Sequence, residues 1–169
     1  PGFEYQLLAL SPDEAVVIAA ELVAPTLAAC RLPQLEVLHT FRGRELVGEV
    51  GDPEPPRRRA RHPFIDRDSV LLPADYVTLE QGTGCVHTAP GHGQEDFELG
   101  RIYGLEPYAP VDDKGRFTAD LPEYEGVHVF EANPRIVERL YEAGRLLNRP
   151  GELYTVERYP HCWRTKTPL

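Results

Sequence analysis

Between His87 and Asp96 the chain reads His-Thr-Ala-Pro-Gly-His-Gly-Gln-Glu-Asp, an imidazole and a carboxylate joined by a turn-rich run that holds a second imidazole, His92. The pattern predicts a loop that leaves a strand at His87 and enters a helix at Gln94, with Asp96 in the first helical turn. Such a loop suits a site, because the free N–H groups of the helix start and the exposed loop backbone face one cleft. His87 and Asp96 could then converge across it. Each residue also has a plainer reading: Asp96 complements the helix dipole, and His87 is a polar residue on an edge strand. A metal site from His87, His92 and Asp96 is a third option. Its two histidines do not share a continuous helix as they do in zinc proteases, so no metal is expected.

Other reactive residues offer less. Cys85 and His87 lie two apart on the expected strand, hence on one face, but same-face strand neighbours seldom give nucleophile–base geometry. Ser11 and Ser69 are the only serines and neither sits in a G-x-S-x-G elbow, which excludes a serine hydrolase of that type. At the far end, His161 and Cys162 supply two ligands where structural zinc wants four.

The elements that must position this loop are short. Tyr5–Leu10 and Ala15–Ala19 read as a hairpin about the turn Ser11-Pro12-Asp13-Glu14. A short helix is expected over Glu21–Cys30, a strand over Leu35–Phe41 and a turn at Arg42-Gly43-Arg44. Gly51–Arg61 reads as an exposed loop. Its Arg57, Arg58, Arg59 and Arg61 are either a solvated charge run or contacts for RNA phosphates. Strands follow at Val70–Thr78 and Cys85–Thr88, then a helix over Gln94–Tyr103 with Leu99, Ile102 and Tyr103 on one face. Asp112-Asp113-Lys114-Gly115 reads as a hairpin turn. Asn133 as N-cap, Pro134 at the first position and Gly144 as stop predict a helix over Pro134–Ala143, buried through Ile136, Val137, Leu140 and Tyr141. Leu153–Tyr159 is a last strand. The sum is a β-rich α+β domain.

At 169 residues the chain is one domain's length, large enough to bury a core without staples. Its 14 glycines and 17 prolines favour short strands and turns over a helical bundle. A formal charge of −9 argues against autonomous, tight nucleic-acid binding, which needs a basic surface, while leaving room for a single strand end delivered by a larger protein. The three cysteines, Cys30, Cys85 and Cys162, do not suggest a disulfide framework and fit a reducing, cytoplasmic compartment. No stretch approaches the roughly 20 apolar residues that span a bilayer, and with no basic run at Pro1-Gly2-Phe3-Glu4 no signal peptide is expected. The absence of methionine suggests a piece of something longer.

The run Gly82-Thr83-Gly84-Cys85-Val86-His87-Thr88-Ala89-Pro90-Gly91-His92-Gly93-Gln94-Glu95-Asp96-Phe97 resembles the G-T-G-x-V-H-x-A-P-x-x-G-x-x-D-[YF] signature of the isoleucyl-tRNA synthetase editing domain. Tyr103-Gly104-Leu105 and Pro110-Val111-Asp112 continue it. Cys162-Trp163-Arg164, with Lys166-Thr167-Pro168, resembles the stretch where that inserted domain returns to the synthetase core. The likeness spans nearly the whole chain, most specifically residues 69–130 and 158–169. Valyl enzymes share parts of the pattern but generally carry lysine where this chain has His87, and leucyl enzymes differ before the proline.

The resemblance implies a barrel-like, β-rich α+β domain with two to three short helices over residues 1–157, and a return segment over 158–169. It implies hydrolytic proofreading of misattached valine, on valyl-tRNA(Ile) and on valyl-adenylate. Asp96 would hold the α-ammonium, and His87 would line the side-chain pocket and help exclude isoleucine. Thr88, Ala89 and His92 would be substrate-contacting or wall positions. The domain itself would need no cofactor or metal, whereas the parent ligase would use ATP and magnesium. Partners would be the valine-bearing 3′ end of tRNA(Ile) and the rest of the synthetase, in a monomer. The family's threonine-rich strand lies just before the part matching Phe3–Leu10, so weak binding or lost activity is expected of this chain alone. The alternative is a non-catalytic insertion that only positions the tRNA acceptor end.

The chemistry is coherent. An aminoacyl ester is already activated, so hydrolysis needs a positioned water and carbonyl more than a strong nucleophile. A second pocket is needed because one methylene is worth only roughly 1–3 kcal/mol in a single binding step, a limit for which isoleucyl-tRNA synthetase is the usual illustration.

Overall fold

The computed structural model describes residues 1–52, 58–80 and 82–148. The expected strand over Leu153–Tyr159, the His161–Pro168 ending and the return segment 158–169 lie outside the described residues, as do Pro53–Arg57.

The hairpin forms where the alternation predicts it. β1 (Glu4–Ala9) and β2 (Ala15–Ala19) pair antiparallel, Tyr5 opposite Ala19 and Ala9 opposite Ala15. β3 (Val37–Arg42) pairs with the other edge of β1, with a register shift between Leu7 and Leu8, giving the order β2-β1-β3. Leu8, Ile18 and Ala19 are fully buried and, with Leu22, form a core against which Tyr5, Val16, Val23, Leu35 and Leu79 pack. Leu22 closes a 3-10 turn (Ala20–Leu22) that runs into α1 (Val23–Ala29), so the helix expected over Glu21–Cys30 is present in two pieces. Arg42–Arg44 is not a simple turn. It starts a one-turn helix, α2 (Gly43–Val47), whose start is closed by the Arg42 amide donating to the Glu45 carboxylate at 2.6 Å.

Two expectations fail in the middle of the chain. The strand expected over Val70–Thr78 shrinks to β5 (Asp68–Val70), paired with β4 (Arg59–Arg61). Pro73, fully buried, has no N–H to give a ladder, and the chain beyond it runs irregularly. Cys85–Thr88 forms no strand. Gly84 before it holds a φ of +75° and Pro90 follows, so no continuous ladder edge is offered.

α3 (Gln94–Tyr103) has the expected bounds and ends at Gly104, whose left-handed φ of 68° closes the C-terminus. Leu99 is buried, but Ile102 is 58% exposed, so the apolar stripe is narrower than predicted. α4 (Val129–Glu142) starts earlier than Asn133-Pro134 suggests. His128, not Asn133, is the N-cap, its side chain accepting from the Phe130 amide, and Pro134 sits inside the helix. Ala132 is buried there, Ile136, Val137 and Leu140 are half-buried, and Tyr141 is exposed. Four α-helices, antiparallel strands and the Asp112–Gly115 turn make an α+β fold. Among the described residues the sheets do not close into a barrel, and the helices outnumber the two to three expected. No described helix is long and apolar enough to cross a membrane.

Candidate functional site

The loop that carries the imidazoles is fastened at both ends. On the sheet side, the Tyr5 hydroxyl donates to the Gly84 carbonyl at 2.7 Å, and the Ala19 amide to the Thr83 carbonyl at 2.8 Å. A Cβ on Gly84 would lie 2.7 Å from that of Ala19, so only glycine allows this approach. On the helix side, the His92 and Gly93 amides turn back onto the Ala89 carbonyl at 2.9 and 3.3 Å. Gly91 passes so close to the 108–109 backbone that a Cβ there would meet the Tyr108 carbonyl oxygen at 2.5 Å.

Asp96 ties the loop to α3. Its Oδ2 accepts from the Ala89 amide at 3.0 Å and its Oδ1 from the Tyr76 hydroxyl at 2.8 Å. The Tyr76 oxygen also lies 3.3 Å from Thr88 Oγ1. Three segments, at Tyr76, Thr88–Ala89 and Asp96, therefore meet at one half-buried carboxylate. Burial pushes the Tyr76 phenol above its ordinary pKa; the bond to Thr88 opposes this, and the bond to the Asp96 carboxylate and its charge add to it. The phenol stays a donor at neutral pH. A carboxylate has about four lone-pair directions, so two remain for another cation.

Beside this knot lies a cleft of about 630 Å³. His87, Thr88, Ala89 and His92 all line it, together with Tyr76, Cys85 and, on other sides, Leu46, Val70, Leu105 and Tyr108. Asp96 is not among the wall residues but is bonded to two of them, through the Ala89 amide and the Tyr76 hydroxyl. The four loop residues named from the sequence reach the cleft and Asp96 is bonded beside it, joined by Tyr76, which lies in an irregular segment read as strand and carries no local signal. Cys85 and His87 do reach one cleft, without a strand to align them. The Cys85 thiol is pushed up by burial, with Thr83 opposing more weakly, so it is no ready nucleophile. Among the described residues, no three His, Cys, Asp or Glu side chains converge as a metal-ligating cluster. Arg59 and Arg61 are ion-paired with Asp68 at 3.8 Å and Asp66 at 3.6 Å, which favours the solvated reading of that charge run.

No family model matches the chain. Curated relatives do, along its whole length. It is 43% identical over 169 residues to the isoleucine–tRNA ligase of Petrotoga mobilis and 46% identical to that of Halorhodospira halophila. A third, from Caldanaerobacter subterraneus subsp. tengcongensis, is 44% identical over the same 169 residues. In each case the alignment covers 100% of this chain and 17% of the relative, so the chain spans about a sixth of the length of the enzymes it matches. Full-length identity of this order, with the fastened His87–Asp96 loop inside it, places the chain in the isoleucine–tRNA ligase family, as the counterpart of one segment of those enzymes.

Proposed function

We propose that this segment is a proofreading module that hydrolyses activated valine, the ester valyl-tRNA(Ile) and the mixed anhydride valyl-adenylate, within a cytoplasmic isoleucine–tRNA ligase. The observation that carries the reading is the cleft walled by His87, Thr88, Ala89 and His92, with the half-buried Asp96 carboxylate bonded to the Ala89 amide at its edge. Asp96 offers the α-ammonium the lone pairs that Tyr76 and Ala89 leave, through charge-assisted hydrogen bonds. His87 stands against the branched side chain and limits its size. Water attacks a carbonyl held in place, with no covalent enzyme intermediate. ATP and magnesium would serve the synthetic reaction of the parent ligase.

The test is deacylation of valyl-tRNA(Ile) and isoleucyl-tRNA(Ile) by a full-length ligase carrying this segment. Asp96→Asn keeps the shape and removes the charge, and is expected to slow valyl release at least tenfold. His87→Ala is expected to let isoleucyl-tRNA be attacked. Unchanged rates in both variants overturn the reading and favour a non-catalytic insertion that positions the acceptor end.

A further inference from the structure

The wall of the cleft contains one feature the proofreading chemistry does not use. Arg67 carries its only guanidinium or lysine ammonium among the described residues. Two carboxylates share the wall. Asp68 is already paired with Arg59 at 3.8 Å, and Glu106 comes from a different segment of the chain. No described carboxylate pairs with Arg67.

The base from which Arg67 projects is fixed. Its carbonyl accepts from the His62 amide at 2.9 Å, and its own amide donates to the Ile65 carbonyl at 2.8 Å. His62 Nδ1 in turn accepts from the amides of Ile65 and Phe64 at 3.0 and 3.4 Å. Phe64 is held between the edge of the His62 ring, 4.9 Å away, and the Arg139 guanidinium, 4.6 Å above its own ring. The backbone of the loop is thus fixed, while the Arg67 side chain itself is exposed at the cleft wall and reaches an anion there without breaking an ion pair.

Resting on the proofreading reading, we propose that Arg67 anchors the phosphate of the nucleotide whose ester occupies the cleft. A volume of about 630 Å³ is that of a site for a drug-sized ligand, larger than a valyl group requires and sufficient for a nucleoside besides. In an aminoacylated RNA end the ester sits on a ribose and the phosphate of the same nucleotide is one sugar away; in an aminoacyl-adenylate the acyl group is carried by the phosphate itself. In a chain of net charge −9 that phosphate needs a local cation, and a guanidinium fork matches its oxygens. The His62 imidazole is kept below its ordinary pKa by burial first and then by Arg67, His87 and Arg139, consistent with a positive field where these groups meet. The phosphate has two sources, the terminal phosphodiester of an RNA strand or the phosphoryl group of an adenylate.

Calorimetric titration of a full-length ligase carrying this segment, its synthetic site filled with a non-hydrolysable isoleucyl-adenylate analogue, with adenosine, AMP and the dinucleotide CpA tests the proposal without reading hydrolysis. At least one phosphate-bearing ligand is expected to bind about tenfold more tightly than adenosine, as one charge-assisted contact provides. Arg67→Gln is expected to erase that advantage and leave adenosine unchanged, while Arg67→Lys restores part of it. An advantage confined to CpA identifies the RNA source, and one confined to AMP or shared by both brings in the adenylate. Equal binding of all three ligands, binding of none, or an advantage that survives Arg67→Gln overturns the proposal. Arg67-dependent phosphate binding in a segment whose parent ligase never cleaves valyl esters would instead overturn proofreading and leave the phosphate anchor in place.

Discussion

The Tyr76 hydroxyl stands between two members of the signature loop, 2.8 Å from Asp96 Oδ1 and 3.3 Å from Thr88 Oγ1. It makes the acidic side chain part of a small network rather than a lone charge at a helix start, and it supplies the first expectation. Tyr76→Phe removes one donor and leaves ring packing intact, so stability should fall by about 1 kcal/mol in urea denaturation. If proofreading holds, valyl-tRNA hydrolysis should lose efficiency while the melt changes little, because the freed carboxylate is less well oriented.

Asp96→Ala should cost more. It strands the Ala89 amide and the Tyr76 hydroxyl together, two bonds to a charged acceptor, and the expected loss is about 2–4 kcal/mol. Asp96→Asn keeps an acceptor and should lose about half as much. Paired urea curves of the two variants separate the structural share of Asp96 from its charge.

At Gly84, φ is +75° and an added Cβ would meet Ala19 at 2.7 Å and the Tyr5 ring at 3.3 Å. Gly84→Ala therefore combines a strained backbone with overpacking and should destabilise by roughly 2–4 kcal/mol. Gly82, also at positive φ but facing open space, is the control and should lose about 1–2 kcal/mol when replaced by alanine.

His62 sets a pH dependence. Its pKa in the folded chain is lowered from 6.5, through burial first and then through Arg67, His87 and Arg139. The unfolded chain thus binds its proton more readily, and stability rises with pH wherever that difference exists. Its contribution is complete above about pH 6.5 and declines as the pH falls below that, until the folded group also titrates. Denaturation midpoints between pH 5 and 8 should show this slope. His62→Asn, which keeps an acceptor for the Phe64 and Ile65 amides, should flatten it.

What the sequence made legible was local. The hairpin at Ser11–Glu14 and the bounds of α3 follow from alternation and from glycines on both sides of Gln94–Tyr103. The start of α4 did not follow, because Asn133-Pro134 is a strong local start signal that tertiary context overrides. His128 caps the helix one and a half turns earlier, and Pro134 forfeits one backbone bond within it. Pro73 and Gly84 dissolved two expected strands for reasons of backbone chemistry that apolar runs do not report. At the site, His87, Thr88, Ala89 and His92 shared one stretch of sequence and were found together. Tyr76 and Arg67 come from segments 20 and 29 positions before Asp96, and only folding brings them there.

The bonds from Tyr5, Ala19 and Thr26 to the carbonyls of Gly84, Thr83 and Gly82 carry a consequence for motion. They rivet the upstream end of the cleft loop to the most deeply buried part of the molecule, whereas its downstream end is held by turns within the loop itself and by the half-buried Asp96 carboxylate. Breathing of the loop will therefore pivot about residues 82–84 and open at Ala89, whose amide should exchange its hydrogen well before that of Ala19 does.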